Sequence, residues 1–342
     1  MAPISVQQRL KDLQRSSAGS HAQDQSPLFS IIPAEIRDQI FTLALIQCED
    51  QNEVYDDDTC YKRPGYLAHK RIYTDLLRSC KRVYNEAWFL PWTNSEHVFY
   101  FASDARKPFI TIEPEVVEDL LWDMFDLHGE APKEVEHVQI FAQIHRLENS
   151  GKFGAVCDMP FFKPRRMTVT IRHTDFANWE GKADLTIDGT WIQQATLPES
   201  VNEVYIEFEN TVERQDQVDF LADQAALLWY FKRKDDAVLV ADAKEKIVMR
   251  WTRGSTWAGK RWRRHESRPN EIDYYVRTIK FKLRPGLDEE NLKDHDQGAS
   301  LEFVSKIGPD WKESSEDDVV SSGDDSVQSD HDTVDRNDNV TR

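Results

Sequence analysis

The chain has 342 residues, 39% hydrophobic and 30% charged, with a formal net charge of -18. That length holds one large or two modest domains, and the acidic balance argues against whole-molecule attraction to nucleic acid or an anionic membrane. The four cysteines, Cys48, Cys60, Cys80 and Cys157, never stand at C-x-x-C spacing. Neither a disulfide framework nor a structural zinc site is expected, and the thiols fit a reducing cytoplasmic or nuclear setting.

Residues 1–26 are polar, lack the apolar core of a secretory signal and read as disordered. No run in the chain approaches the roughly twenty apolar residues of a membrane helix. Order is expected from Pro27. Pro33 stands where a helix can begin, because its missing N–H would be unpaired there anyway. Ile36, Ile40 and Leu43 then recur at helical spacing with Phe41 and Leu45 widening the face, which predicts a helix over 33–46. The acidic, aperiodic segment 47–66 reads as a surface loop ending at Pro64-Gly65. Leu76, Leu77, Cys80, Val83, Tyr84 and Ala87 predict a second helix over 74–89, stopped by Pro91. A short strand at 97–101 and a third helix at 113–129, ended by Gly129, follow.

Beyond that point β-branched and aromatic residues cluster or alternate. Strands are predicted at 134–144, 166–176, 201–210, 237–242, 246–252 and 273–283. Val218, Leu221, Ala225 and Leu228 mark one helix against the sheet. Helices early and strands later make an α+β protein, and after about residue 305 the pattern dissolves into an acidic tail.

Ile32-Pro33-Ala34-Glu35-Ile36 with Ile40-Phe41 resembles the opening of the F-box, and Leu77, Cys80, Lys81 and Tyr84 hold the places of its later segment. The combination is similar to a group of fungal proteins with an F-box-like start and an uncharacterised C-terminal α+β region. The resemblance is strong over about residues 27–101. It differs from the usual pattern in having Ile32 for Leu and the acidic segment 47–73 between its halves. What it implies is a small helical surface bound by the Skp adaptor of a cullin–RING ubiquitin ligase, with Ile32, Pro33, Ile36, Ile40, Phe41 and Leu77 facing the partner and the sheet region holding a target. The other reading of the same stripe is that it packs into the chain's own core, since any amphipathic helix must bury its apolar side somewhere. Exposure of Ile32, Pro33 and Ile36 in the folded chain separates the two.

Residues 244–268 carry nine Lys/Arg interleaved with Trp251, Trp257 and Trp262. Arg250, Trp251, Arg253, Trp257, Lys260, Arg261, Trp262, Arg263 and Arg264 could stack and neutralise single-stranded nucleic acid. The simpler expectation is a strand pair with tryptophans inward, cations outward, and Gly254 and Gly259 in the turn. In the tail Ser314, Ser315, Ser321 and Ser322 each have Asp three residues on, an arrangement suited to acidophilic kinases. No phosphate-binding glycine motif, nucleophile elbow or metalloprotease helix occurs. His173-Thr174-Asp175 lacks a paired nucleophile, and Asp56, Asp58 and His69 are a thin basis for metal-dependent hydrolysis. The expectation is therefore a non-catalytic protein-binding chain without cofactor or metal: disordered 1–26, a helical F-box-like module at 27–101, an α+β region at 102–305 and a disordered tail at 306–342.

Overall fold

The computed structural model describes residues 23–129, 133–149, 151–181, 183–284, 286 and 292–304. Of the segments expected to be disordered, residues 1–22 of 1–26 and all of 306–342, with Ser314, Ser315, Ser321 and Ser322, lie outside the described residues.

The chain opens with a single turn, α1 (Pro27–Ser30), and the expected helix, α2 (Ala34–Ala44), which begins directly after Pro33. The segment expected to be a loop then forms a hairpin, β1 (Cys48–Val54) with β2 (Ala68–Arg71). Its strands carry no alternating apolar residues to announce them. Charge pairs hold the hairpin instead: Arg71 meets Asp50 at 3.1 Å, and Lys70 reaches across to Glu96. The expected helix over 74–89 breaks. Thr74–Arg78 is a 3-10 turn, the Ser79 hydroxyl donates to the Leu76 carbonyl at 2.7 Å, and Cys80 is fully extended before α3 (Lys81–Ala87) begins. Side-chain competition of this kind for backbone partners interrupts helices. Pro91 does not terminate a helix but sits in the first turn of α4 (Leu90–Thr93), where it removes no hydrogen bond.

The main sheet begins with β3 (Glu96–Phe101). From it α5 (Pro114–His128), capped by left-handed Gly129, leads to β4 (Val135–Ala142). Helices α6 (Ile144–Asn149) and α7 (Lys152–Asp158) lead to β5 (Pro164–Ile171), which ends five residues earlier than expected in a 3-10 turn at His173–Asp175. The short strand β6 (Thr186–Ile187) and α8 (Thr190–Gln193) precede β7 (Glu203–Thr211). Helix α9 (Gln215–Leu228) follows, then β8 (Tyr230–Lys232), β9 (Val238–Ala241), β10 (Ile247–Gly254), β11 (Thr256–Trp257), β12 (Lys260–Arg261), β13 (Glu271–Leu283) and β14 (Leu301–Glu302).

The fold is α+β, with a mixed eight-stranded sheet in the order β3-β4-β5-β7-β13-β9-β8. Strands β3, β4, β5 and β7 are parallel. Strand β13 runs antiparallel beside β7, and its far edge is shared by β10 along the first half and β9 along the last residues. Register puts Val138, Met167 and Val204 on one face, followed by Ile140, Val169 and Ile206, and these join the apolar sides of α5, α6, α7 and α9 in the principal core. The opposite face is polar. There Gln139 donates to Thr170 (2.8 Å), Thr170 to Glu207 (2.7 Å), and Arg63 of the β1–β2 connection reaches Glu207 and Glu209.

The division expected at residue 101/102 does not separate units: β3 lies on one side of it and its sheet partner β4 on the other. The helical start nevertheless has a small core of its own, built from Phe41, Leu45, Val83, Ala87 and Leu90.

Candidate docking face

On α2 the wide apolar face divides in two. Arg37, Phe41 and Leu45, spaced four residues apart, turn toward α3, and Phe41 is 1% exposed. Leu28, Phe29, Leu76, Leu77, Cys80 and Phe89 close around this row. Arg37 fixes the helix pair through a bidentate contact to Glu86 of α3 (2.8 and 3.1 Å) and donates to the Ile32 carbonyl at 2.8 Å. Arg82 adds a second cation on Glu86 at 3.3 Å and lies 4.3 Å over the Phe29 ring. Burial opposes ionisation of Glu86, but hydrogen bonds from Arg37 and Arg82 outweigh it and hold the carboxyl below its ordinary range.

The other row points to solvent. Ile36 is 45% exposed, Ile40 39% and Leu43 69%, with Ile31 and Ile46 exposed at either end. Pro33 is exposed and Ile32 half-buried. Four of the six residues expected at a partner surface thus share or flank one open stripe. Phe41 and Leu77 do not belong to it: both are part of the small core beneath α2, because α3 and the 3-10 turn before it occupy that side of the helix. Ile31, Leu43 and Ile46 extend the stripe beyond the residues singled out above. The Leu43 spacing was visible in the sequence, whereas the outward turn of Ile31 and Ile46 depends on where the helix ends.

The basic, tryptophan-rich stretch spends its aromatic faces internally. Trp251 stacks on Tyr274 at 4.5 Å and donates to Glu209 at 3.2 Å; Trp257 is buried; Trp262 lies 4.6 Å from Trp179 and 5.4 Å from Trp257. Several cations are tied down as well. Arg250 donates to Gln215, Arg253 to the carbonyls of Asp57 and Thr59, and Arg261 to Glu266, while Lys260 lies over Trp262. Arg263 and Arg264 are exposed beside them. Gly254 ends β10 rather than sitting in the turn. The two-residue turn is Ala258-Gly259, both at positive φ, the geometry that tight hairpins favour.

Asp56, Asp58 and His69 have separate employments. Asp58 accepts from the Gly259 N–H, Asp56 from the Asp58 N–H, and His69 faces the Tyr55 hydroxyl at 3.4 Å. Among the described residues no group of three or more His, Cys, Asp or Glu side chains is placed to hold a metal, and no helix is long and apolar enough to cross a membrane.

His173 and Asp175 part company at the carboxyl end of β5. Asp175 pairs with buried Arg172 at 2.5 Å. His173 donates from Nδ1 to Asn210 Oδ1 at 2.9 Å, and its ring meets His265 edge-on at 4.8 Å beside Trp179 and Tyr274. Burial first, then the neighbouring His265, Arg214 and Arg106, pushes His173 down to about 3; burial, with Arg214 and Arg264, lowers His265 to about 4. Neither position was expected to hold a buried, uncharged imidazole.

Compared with known proteins, the chain matches no family model, and neither a curated protein nor a solved structure matches it.

Proposed function

We propose that this protein is a protein–protein interaction module whose α2 stripe docks a Skp-type adaptor, so that the chain selects targets for a cullin–RING ubiquitin ligase. The observation that carries the reading is the division of α2: Phe41 and Leu45 already anchor the helix to its own core, and Ile36, Ile40 and Leu43 form a second apolar row that the described chain leaves in water. An amphipathic helix that presents such a row to an apolar groove is a common recognition mode. Full burial of an aliphatic side chain contributes roughly 1.5–3 kcal/mol. Scaled by the fraction each still exposes, Ile36, Ile40 and Leu43 together supply about 2–5 kcal/mol, before ordering costs.

A second reading, a scaffold with no ubiquitin link, draws on the core positions of Phe41 and Leu77, two places that the F-box resemblance assigns to the adaptor. Calorimetric titration of the full chain with purified Skp adaptor separates the two. Binding by the wild type that is lost in a folded Ile36→Asp/Leu43→Asp variant supports the ligase reading. A folded wild type that takes up no adaptor leaves the scaffold.

A further inference from the structure

Strand β3 forms one edge of the main sheet. The Phe101 carbonyl accepts from Gln143 N–H just beyond β4 at 3.0 Å, so Phe101, Phe99 and His97 aim their backbone groups toward β4. By strand alternation Glu96, Val98 and Tyr100 aim theirs outward. Gln47 fills the first of these outward rungs: its carboxamide accepts from Glu96 N–H at 3.1 Å and donates to Glu96 O at 3.4 Å, the two bonds that a neighbouring strand would make. Among the described residues no group takes the next two rungs, Val98 and Tyr100. An open edge of this kind is a template for another strand.

A groove of about 330 Å³ runs beside these rungs, with Ile72 and Trp92 in its lining and Ile110, Ile112, Val116 and Leu120 along its outer wall. The last four are exposed to solvent. Charge within the groove is already compensated, because Glu96 is contacted by Lys70 and accepts from the Tyr66 hydroxyl at 2.7 Å. The rim is not compensated. Helix α5 carries Glu115, Glu118 and Asp119 on the turns that hold Val116 and Leu120, and none of the three has an ion-pair partner among the described residues. Glu115 and Asp119, four residues apart, repel one another on the helix surface until a cation arrives.

We propose that the β3 edge accepts an extended segment of a partner protein as an added strand. Its backbone pairs with Val98 and Tyr100, apolar side chains at alternate positions enter the groove, and a Lys or Arg meets the acids of α5. None of these residues belongs to the α2 stripe, so the inference does not rest on adaptor docking; it supplies a place for the target if both hold.

The test is to pan the full chain with a phage-displayed library of random 12-residue peptides. The expected result is enrichment of sequences with apolar residues two apart and at least one Lys or Arg. A synthetic peptide of that consensus should slow hydrogen exchange at the Val98 and Tyr100 amides, measured by NMR. It should bind at least tenfold more weakly to a Val116→Glu/Leu120→Glu variant, and several-fold more weakly to Glu115→Gln/Asp119→Gln or in 0.5 M salt. These side chains are exposed or at the rim, so the variants are expected to fold, and unchanged Skp-adaptor titration or unchanged urea unfolding shows that they have. No enrichment over an empty surface, peptides without the alternation, affinity unchanged in the groove variants, or protection confined to α2 would each overturn the proposal. Loss of binding in Ile36→Asp/Leu43→Asp with none in the groove variants would overturn it too, by assigning the peptide to the helix stripe.

Discussion

Acidification should destabilise this protein well before its carboxylates protonate, and two imidazoles in contact, His173 just after β5 and His265 in the 3-10 turn after β12, set the size of the effect. His173 and His265 titrate at about 3 and about 4 in the folded chain, against 6.5 when unperturbed. Between those limits the unfolded state binds more protons than the folded one, so stability present above pH 6.5 drains away as pH falls. A fully shifted histidine loses about 1.4 kcal/mol between pH 7.5 and 5.5. His173, enclosed by Asn210, Tyr274, Trp179 and His265, should deliver that amount in full, and His265, nearer to solvent, somewhat less. Together they should remove roughly 2–3 kcal/mol, and His97, also lowered by burial, acts in the same direction. Glu96 and Glu266, held at about 2, contribute their losses only below the ordinary carboxylate range. Urea unfolding of the wild type and of His173→Gln at pH 7.5, 6.5 and 5.5 measures the slope. Whatever the variant's stability at pH 7.5, its fall with pH should be smaller by about 1.4 kcal/mol over the window. A wild type whose stability is flat to within about 0.5 kcal/mol, or a variant that keeps the whole fall, would show that these imidazoles do not govern the response to acid.

The two rows of α2 should respond oppositely to substitution. Phe41→Ala should cost about 3–5 kcal/mol of unfolding free energy by urea titration, whereas Leu43→Asp should stay within about 0.5 kcal/mol. Glu86→Gln leaves Arg37 and Arg82 without their anion at a half-buried contact; a loss of about 1–3 kcal/mol is expected in the same assay. Gly259→Val forces a β-branched residue to φ +66 in a turn with open space around it, so its cost of about 1–2 kcal/mol should come from backbone strain alone, read as a lower thermal midpoint.

What the sequence made legible follows how local each cause is. Helix α5 announced itself by period and by Gly129, and the strands at 201–210 and 273–283 by their β-branched and aromatic density, because those signals are carried within the element. Helix α2 was legible as a helix with a wide apolar face. Which half of that face the chain keeps for itself was not, since the answer lies in residues 76–90 and in Arg37, a charged residue that goes inward only because Glu86 waits for it. The β1–β2 hairpin escaped notice for the same reason: CEDQNEV has no apolar alternation, and its strand is held by charges from Arg71 and by a connection that docks elsewhere, with Arg63 on Glu209 and Asp58 on Gly259, some 200 residues away. Buried cations such as Arg63, Arg172 and Arg277 read as solvent-facing in a sequence. The acids that make their burial tolerable come from three different elements: Glu207 and Glu209 of β7 for Arg63, Asp175 of the 3-10 turn after β5 for Arg172, and Asp219 and Asp223 of α9 for Arg277.

The position of β13 has a consequence for synthesis on the ribosome. The parallel half of the sheet is complete once β7 emerges, yet the strand that covers the outer edge of β7 begins about 60 residues later. At roughly 5–20 residues per second, the nascent chain carries a nine-residue open flank, with Val204, Ile206 and Phe208 along it, for several seconds. During that interval β7 is a ready partner for a neighbouring nascent chain, so the yield of folded protein should depend on chaperone cover over this stretch of translation more than on the stability of the finished molecule.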